Sequence, residues 1–357
     1  RAFQTDLPLP QFLSMQIAGD LIARDLLSSG RPGDPAKVQD PLIATGFLAI
    51  SKRFGSNPNA FEHLTIADTL DTIARCYDRR IRDLSVVVLE KGSEPGAHIL
   101  SGAVMDPRAM DELFPDWKKM GAPLNQAVNG DELLILSEDG ATSVPSWLMP
   151  RNFHNDGCYV VSLSNVTKWL AQQAENLGVE IFPGFTAAEV LYNDNGSVKG
   201  VATGHVGLGK DGQPTDNFQL GMELHAKYTV FAEGARGHLG KQVIERFKLN
   251  QGKDTQTFAI GIKELWEVDP ALAKPGLVVH TSGWPIADNS FGGGFLYHLE
   301  DNKVTLGFVL GLDYTNPYMS PFDEMQRWKT HPSIAKHLKG GKRIGYGARA
   351  INNGTPQ

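Results

Sequence analysis

The run Leu84-Ser85-Val86-Val87-Val88-Leu89 leads straight into Glu90. Such a block of β-formers predicts a buried strand. In dinucleotide-binding βαβ units, a carboxylate at the end of the second strand accepts hydrogen bonds from ribose hydroxyls. An acidic residue is equally expected wherever a buried strand reaches water. Those units carry a glycine-rich phosphate-binding turn roughly 20–30 residues upstream. Here no glycine follows Gly55 before Arg80. The chain therefore reads as a flavin or nicotinamide enzyme whose first strand, loop and helix have been replaced.

With 357 residues the chain has room for two or three domains. A net charge of −6 and a pI near 5.9 argue against a nucleic-acid partner. No apolar run approaches the ~18 residues of a membrane-crossing helix. The chain opens on Arg1 with no signal-peptide pattern, which suggests a fragment. Its two cysteines, Cys76 and Cys158, make no disulfide framework, and a reducing compartment is the default. A [4Fe–4S] cluster takes four thiolates, so two cysteines cannot hold one. The ten histidines show no metal-ligand spacing, and no metal site is expected.

Residues 1–80 read as a helical segment. Phe12, Met15, Ile17, Leu21 and Ile22 recur at helical spacing, Leu42 to Phe54 is a second apolar run, and Thr65 can cap a third helix. From Ile81 the texture is α/β. Pro107 to Leu113 can start a short helix. Leu163 to Leu177 is amphipathic, with Ser164 or Asn165 as cap and Gly178 as stop. Asn195-Gly196 predicts a hairpin between strands 188–192 and 198–202. Residues 228–232 read as a buried strand, 256–314 as strand-rich and 321–339 as helical. Gly207-Leu208-Gly209-Lys210-Asp211-Gly212 matches G-x-G-x-x-G literally. It follows a polar hairpin and enters Gln213-Pro214, so it reads as a surface loop.

The strand 228–232 breaks at Glu233-Gly234-Ala235-Arg236-Gly237 and opens a helix. Such a turn can present backbone N–H groups and a helix dipole to a phosphate, with Glu233 on a ribityl or ribose hydroxyl. It can also be an ordinary strand–helix connection. If Glu90 and Glu233 mark one cofactor site, they should lie on one side of the same sheet. Phe291-Gly292-Gly293-Gly294-Phe295 enters an aromatic strand, where glycines would admit a flat ligand or form a bulge.

Several motifs carry a resemblance. They include Leu89-Glu90-Lys91-Gly92, Gly96-Ala97-His98-Ile99-Leu100-Ser101-Gly102, Glu112-Leu113-Phe114-Pro115-Asp116-Trp117 and Gly121-Ala122-Pro123-Leu124-Asn125. They continue through Ala232 to Leu239, Lys263-Glu264-Leu265-Trp266, Gly283-Trp284-Pro285, Phe295-Leu296-Tyr297-His298 and Gly341-Lys342-Arg343-Ile344. From about residue 82 to 354 the chain resembles the electron transfer flavoprotein–ubiquinone oxidoreductase family. Short runs in residues 1–78 resemble a domain of unknown function from planctomycete cytochrome-associated proteins.

The resemblance implies an FAD-binding Rossmann-like core of the glutathione-reductase type with a β-rich quinone-binding domain. Its domains would be a helical segment at 1–80, an incomplete FAD domain at 81–255, a quinone domain at 256–330 and a return to the FAD domain at 331–357. It implies electron transfer from reduced electron transfer flavoprotein to ubiquinone through FAD and a [4Fe–4S] cluster. Glu90, Gly96, Ala97, His98, Ser101, Gly102, Val190, Glu233, Gly234 and Asn352 would contact FAD, and Gly292 and Gly293 the quinone. Residues 95–116 would dip into the membrane through Ile99, Leu100, Val104, Met105, Leu113 and Phe114, with Trp117 beside them. The location would be the cytoplasmic face of a bacterial inner membrane, or the mitochondrial inner membrane. The glycine-rich loop and the cluster cysteines do not occur in this sequence, which makes weak FAD binding and an inactive chain the expectation. A related flavoprotein reductase or hydroxylase, or a non-catalytic fragment, are the alternatives.

Overall fold

The computed structural model of the protein describes residues 85–100, 102–286 and 290–353. The three helices expected in residues 1–80 lie outside the described residues, as does Ser101.

The strand that ends on Glu90 forms as β1 (Val87–Glu90) and pairs in parallel with β7 (Glu180–Pro183) in a two-stranded sheet. It is not buried: Val87 and Val88 are 40% and 42% exposed. The second expected strand, residues 228–232, does not form, and Tyr228 and Val230 are 65% and 70% exposed. Both corrections have one physical cause. A buried parallel strand needs hydrogen-bonding neighbours on both edges. Among the described residues β1 has a neighbour on one edge only, and residues 228–232 have none. Glu90 and Glu233 therefore do not end strands of one sheet.

The intervening elements follow their local sequence. Helix α1 (Arg108–Leu113) lies between β2 (Gly102–Met105) and β3 (Gln126–Ala127). Helix α2 (Leu163–Asn176) follows β6 (Tyr159–Ser162). Its cap is Ser162, not Ser164 or Asn165; Ser164 instead donates its hydroxyl to the Gly96 carbonyl at 2.8 Å. Gly178 takes φ 92° just past the helix end, as a C-terminal glycine does. Asn195-Gly196 turns between β8 (Ala187–Tyr192) and β9 (Val198–Thr203). The literal G-x-G-x-x-G lies in a hairpin between β10 (Val206–Leu208) and β11 (Pro214–Gln219), and no helix follows it. Strand β12 (Glu223–His225) joins β9, and α3 (His238–Phe247) packs on β8 through Tyr192 and Phe247.

Strands β4 (Gly130–Leu136), β5 (Ala141–Ser143), β13 (Thr257–Glu267), β14 (Leu277–Gly283), β15 (Gly292–His298), β16 (Lys303–Gly311) and β17 (Lys342–Asn353) form the largest element. It is a seven-stranded sheet of order β17-β13-β16-β15-β14-β4-β5. Helices α4 (Pro321–Thr330) and α5 (Pro332–Leu338) cover one face. There Met325, Trp328 and Ile334 join Leu296, Leu306 and Phe308 in the main core. Trp328 fixes the register by donating its indole N–H to the Thr281 hydroxyl at 2.9 Å. The opposite face meets the β2-β6-β3 sheet, where Val160 packs against Val278 and Tyr297.

Part of the 95–116 segment takes part in that packing. Trp117 is 3% exposed and donates its N–H to Asp111 at 2.7 Å. Met105 and Phe114 pack in the same cluster, with Phe114 edge-on to Trp169 at 5.1 Å. Val104 lies against the Val160–Val278 cluster, and Leu100 reaches over Gly345.

Candidate cofactor and quinone site

Glu90 turns back on its own loop, accepting a hydrogen bond from the Gly92 N–H. Gly92 continues into a turn that ends at Gly96, whose φ of 84° and contact with Ser164 O both require glycine; an added Cβ would come within 2.6 Å. This pins the Gly96–Gly102 loop to the start of α2. Ala97 and His98 lie exposed on it, and Gly102 presses on Thr305, where a Cβ would come within 2.4 Å of the methyl. The end of the loop thus reaches the large sheet at Thr305.

Glu233 behaves differently from a ribose ligand. Its carboxylate accepts from the N–H groups of Leu239 at 3.1 Å and Gly240 at 2.7 Å. It occupies the start of α3, where unpaired N–H groups and the dipole favour an anion. Gly234 makes the turn at φ 81°. The donors expected to meet a phosphate are therefore satisfied from within the chain. Val190 is enclosed at 3% exposure in the β8–β9 hairpin. Asn352 is exposed at the end of β17, opposite Phe258. Beside it a pocket of about 360 Å³ is lined by Arg236, Thr257, Phe258, Leu312, Asp313 and others, with the Arg236 guanidinium 5.3 Å from the Phe258 ring.

The structure brings together Gly102, Gly292 and Gly293 around one large sheet and leaves Glu90, Val190 and Glu233 on separate small elements. Gly292 and Gly293 open β15; a Cβ on Gly293 would come within 2.4 Å of Thr281 O. Further along the same strand Tyr297 shares a 2.9 Å hydrogen bond with His280 and stacks on Phe295 at 4.8 Å. Burial pushes the Tyr297 phenol up and the His280 imidazole down, so both are neutral at pH 7. Reading the sequence alone missed this pair. Only their positions inside strand-forming runs, His280 after Val278-Val279 and Tyr297 after Phe295-Leu296, marked them in the sequence.

The fold is shared with solved structures at low sequence identity. The chain superposes with a TM-score of 0.53 and 16% identity on a geranylgeranyl bacteriochlorophyll reductase-like protein from Thermoplasma acidophilum, covering 79% of this chain and 63% of that one. A myxobacterial FAD-dependent halogenase gives 0.50 and 16%, covering 80% and 62%. Residues 258–351 match the ubiquinone-binding family described as "ETF-QO, ubiquinone-binding". Among named relatives, the probable electron transfer flavoprotein-ubiquinone oxidoreductase of Acinetobacter baylyi is 60% identical over 279 residues, covering 78% of this chain and 49% of the relative. The Pseudomonas aeruginosa enzyme is 56% identical over 275 residues, covering 76% and 50%. The mitochondrial enzyme of Mus musculus is 54% identical over 279 residues, covering 77% and 45%. Over that stretch the resemblance to the electron transfer flavoprotein–ubiquinone oxidoreductases is shown. The chain spans about half the length of the curated relatives it matches.

Proposed function

We propose that this chain carries the ubiquinone-binding part of an electron transfer flavoprotein–ubiquinone oxidoreductase. The seven-stranded sheet, with Gly292–Gly293 at the head of β15 and the Gly96–Gly102 loop against its face, carries this reading. In the complete reaction, electrons pass from reduced electron transfer flavoprotein through FAD and a [4Fe–4S] cluster to ubiquinone. FAD supplies the one- and two-electron chemistry.

FAD does not fit the described residues as they stand. Glu233 already occupies the N–H groups at the start of α3, and residues 228–232 lack their strand. A [4Fe–4S] cluster takes four thiolates, and Cys76 and Cys158 of this stretch do not by themselves supply them. The activity proposed is this oxidoreductase reaction, to which the described residues contribute the quinone-binding sheet.

No helix among the described residues is long and apolar enough to cross a membrane. We place the membrane contact instead at the short 3-10 turn Ser146–Leu148, where Trp147 and Leu148 are 83% and 61% exposed between Pro145 and Pro150. An exposed Trp–Leu tip suits the bilayer interface. The membrane would be the bacterial inner membrane at its cytoplasmic face, or the mitochondrial inner membrane.

The test is direct titration of the chain with a short-chain ubiquinone, followed by tryptophan fluorescence. Saturable binding that Gly293→Val abolishes supports the reading. No binding by the folded chain refutes it.

A further inference from the structure

Directly paired residues of neighbouring strands, and residues two apart on one strand, share a face. On β14 and β15 this puts Val278, His280 and Ser282 with Gly293, Phe295 and Tyr297, on the face opposite α4 and α5. Gly294 points the other way, into Trp328, which fixes the assignment. His280 pairs with Phe295, so Gly293 is its diagonal neighbour, about 7–8 Å away. Phe295 leans off this stretch onto Gly307, and Ser282, beside Gly293, is exposed. Neither side chain closes the surface between His280 and Gly293.

His280 is held from its other side. Its Nε2 meets the Tyr297 hydroxyl at 2.9 Å, and the Tyr297 and Phe153 rings stand edge-on to the imidazole at 5.5 and 5.4 Å. Asp131, whose charge reaches both groups, is engaged elsewhere. Its oxygens accept from the Asn155 backbone N–H at 3.1 Å and from the Asn155 side-chain amide at 2.5 Å. The neutral imidazole carries one proton, on one of its two nitrogens. Tyr297 is the more deeply buried partner, and among the described residues His280 is the one acceptor its hydroxyl meets. An O–H without an acceptor costs most where burial is deepest. The phenol therefore donates to Nε2, and the imidazole proton sits on Nδ1. Among the described residues that Nδ1–H meets no acceptor. The two ring nitrogens point apart. With Nε2 turned back toward Tyr297, which pairs with Val278, Nδ1 is turned toward Ser282 and Gly293.

We propose that the His280 Nδ1–H is the donor that holds a carbonyl oxygen of the quinone, with Tyr297 as a positioning residue that fixes the imidazole tautomer. The ligand is a planar ring with an acceptor oxygen on its edge, lying over Ser282 and Gly293. Glycine at 293 lets such a ring come close to the backbone, and the donor sets which oxygen faces inward. This inference rests on the quinone reading of the sheet and adds to it the side chain that recognises the carbonyl.

The experiment binds a short-chain ubiquinone, labelled with carbon-13 in one or the other carbonyl, to the full chain and reads the carbonyl stretch by infrared difference spectroscopy. One carbonyl band should move to lower frequency, as a hydrogen-bonded carbonyl does. The amide nitrogen of Asn falls near the Nδ1 position and that of Gln near Nε2. His280→Asn should therefore keep the lowered band. His280→Gln, which keeps the contact with Tyr297, should lose it and bind about tenfold more weakly. Tyr297→Phe frees the tautomer and should shrink the shift; an unchanged shift overturns the role of Tyr297. Bound quinone with no lowered band in the unaltered chain overturns the inference and leaves the quinone reading standing. A lowered band that survives in His280→Gln, or is lost in His280→Asn, overturns it as well. Failure of the unaltered, folded chain to bind the quinone overturns both the inference and the quinone reading.

Discussion

Glu264 on β13 and Lys329 on α4, 65 residues apart in sequence, share two hydrogen bonds of 2.8 and 2.9 Å. Glu264 is 2% exposed and also accepts from the Trp266 indole at 2.8 Å and the Arg343 guanidinium at 3.0 Å. One carboxylate therefore ties α4, β13 and β17 together. Burial alone would raise its pKa, but hydrogen bonds from Lys329, Trp266 and Arg343 outweigh it and hold the group below its ordinary range. Removing one member of such a set leaves buried charge uncompensated. Glu264→Gln should cost about 3 kcal/mol or more, measured as a fall in the urea midpoint. Arg343→Gln, with its partly exposed side chain, should cost clearly less.

The buried His298–His337 pair sets a low-pH limit. Their rings are hydrogen-bonded at 3.0 Å, and the His298 Nδ1 accepts from the Lys274 N–H at 3.1 Å. Burial, with Lys274 nearby, lowers His298 to about 4. Burial, then His298, Lys336 and Lys274, lowers His337 to about 3. Both values lie below the ordinary 6.5, so the folded state favours the neutral rings. Their stabilising contribution is complete above pH 6.5 and is lost as pH falls from there toward 4. The urea midpoint should drop steeply between pH 7 and pH 5. The double variant His298→Gln, His337→Gln should show a shallower drop.

Gly294 sits where a Cβ would approach the Trp328 indole to 2.3 Å. Trp328 is fully buried and held by Thr281, so it cannot yield cheaply. Gly294→Ala should destabilise by about 1–3 kcal/mol through overpacking. Gly347→Ala, with its nearest neighbour at 3.7 Å, should leave the melting temperature nearly unchanged. Equal effects at the two positions would contradict the face assignment of the sheet.

Trp147 and Leu148 should govern attachment to lipid. Replacing both by Ser removes exposed apolar area and touches no buried cluster. Co-sedimentation with anionic vesicles should fall severalfold while thermal stability holds. Trp117→Ser, by contrast, should unfold the chain, because Trp117 is 3% exposed and packs in the Met110–Trp169 cluster.

The amino-acid sequence by itself determined the local elements. Residues 256–314 read as strand-rich and hold β13 to β16, Asn195-Gly196 specified its hairpin, and Gly178 the end of α2. The family motifs also pointed to the sheet that presents Gly292 and Gly293. These features depend on near neighbours in the chain, so periodicity and turn chemistry encode them directly. Residues 228–232 show where that ends: five strand-formers stay unpaired because a strand is completed only by a neighbour. The direction in which an apolar pattern faces is likewise not local. Phe114 and Trp117 read the same whether they meet lipid or protein, and only their packing against α2 and β6 placed them in the Met110–Trp169 cluster. Tertiary structure alone placed His280 against Tyr297, Glu264 against Lys329 and Glu233 on its own helix. Each depends on strand register or on a close approach between distant segments, which one-dimensional spacing does not carry.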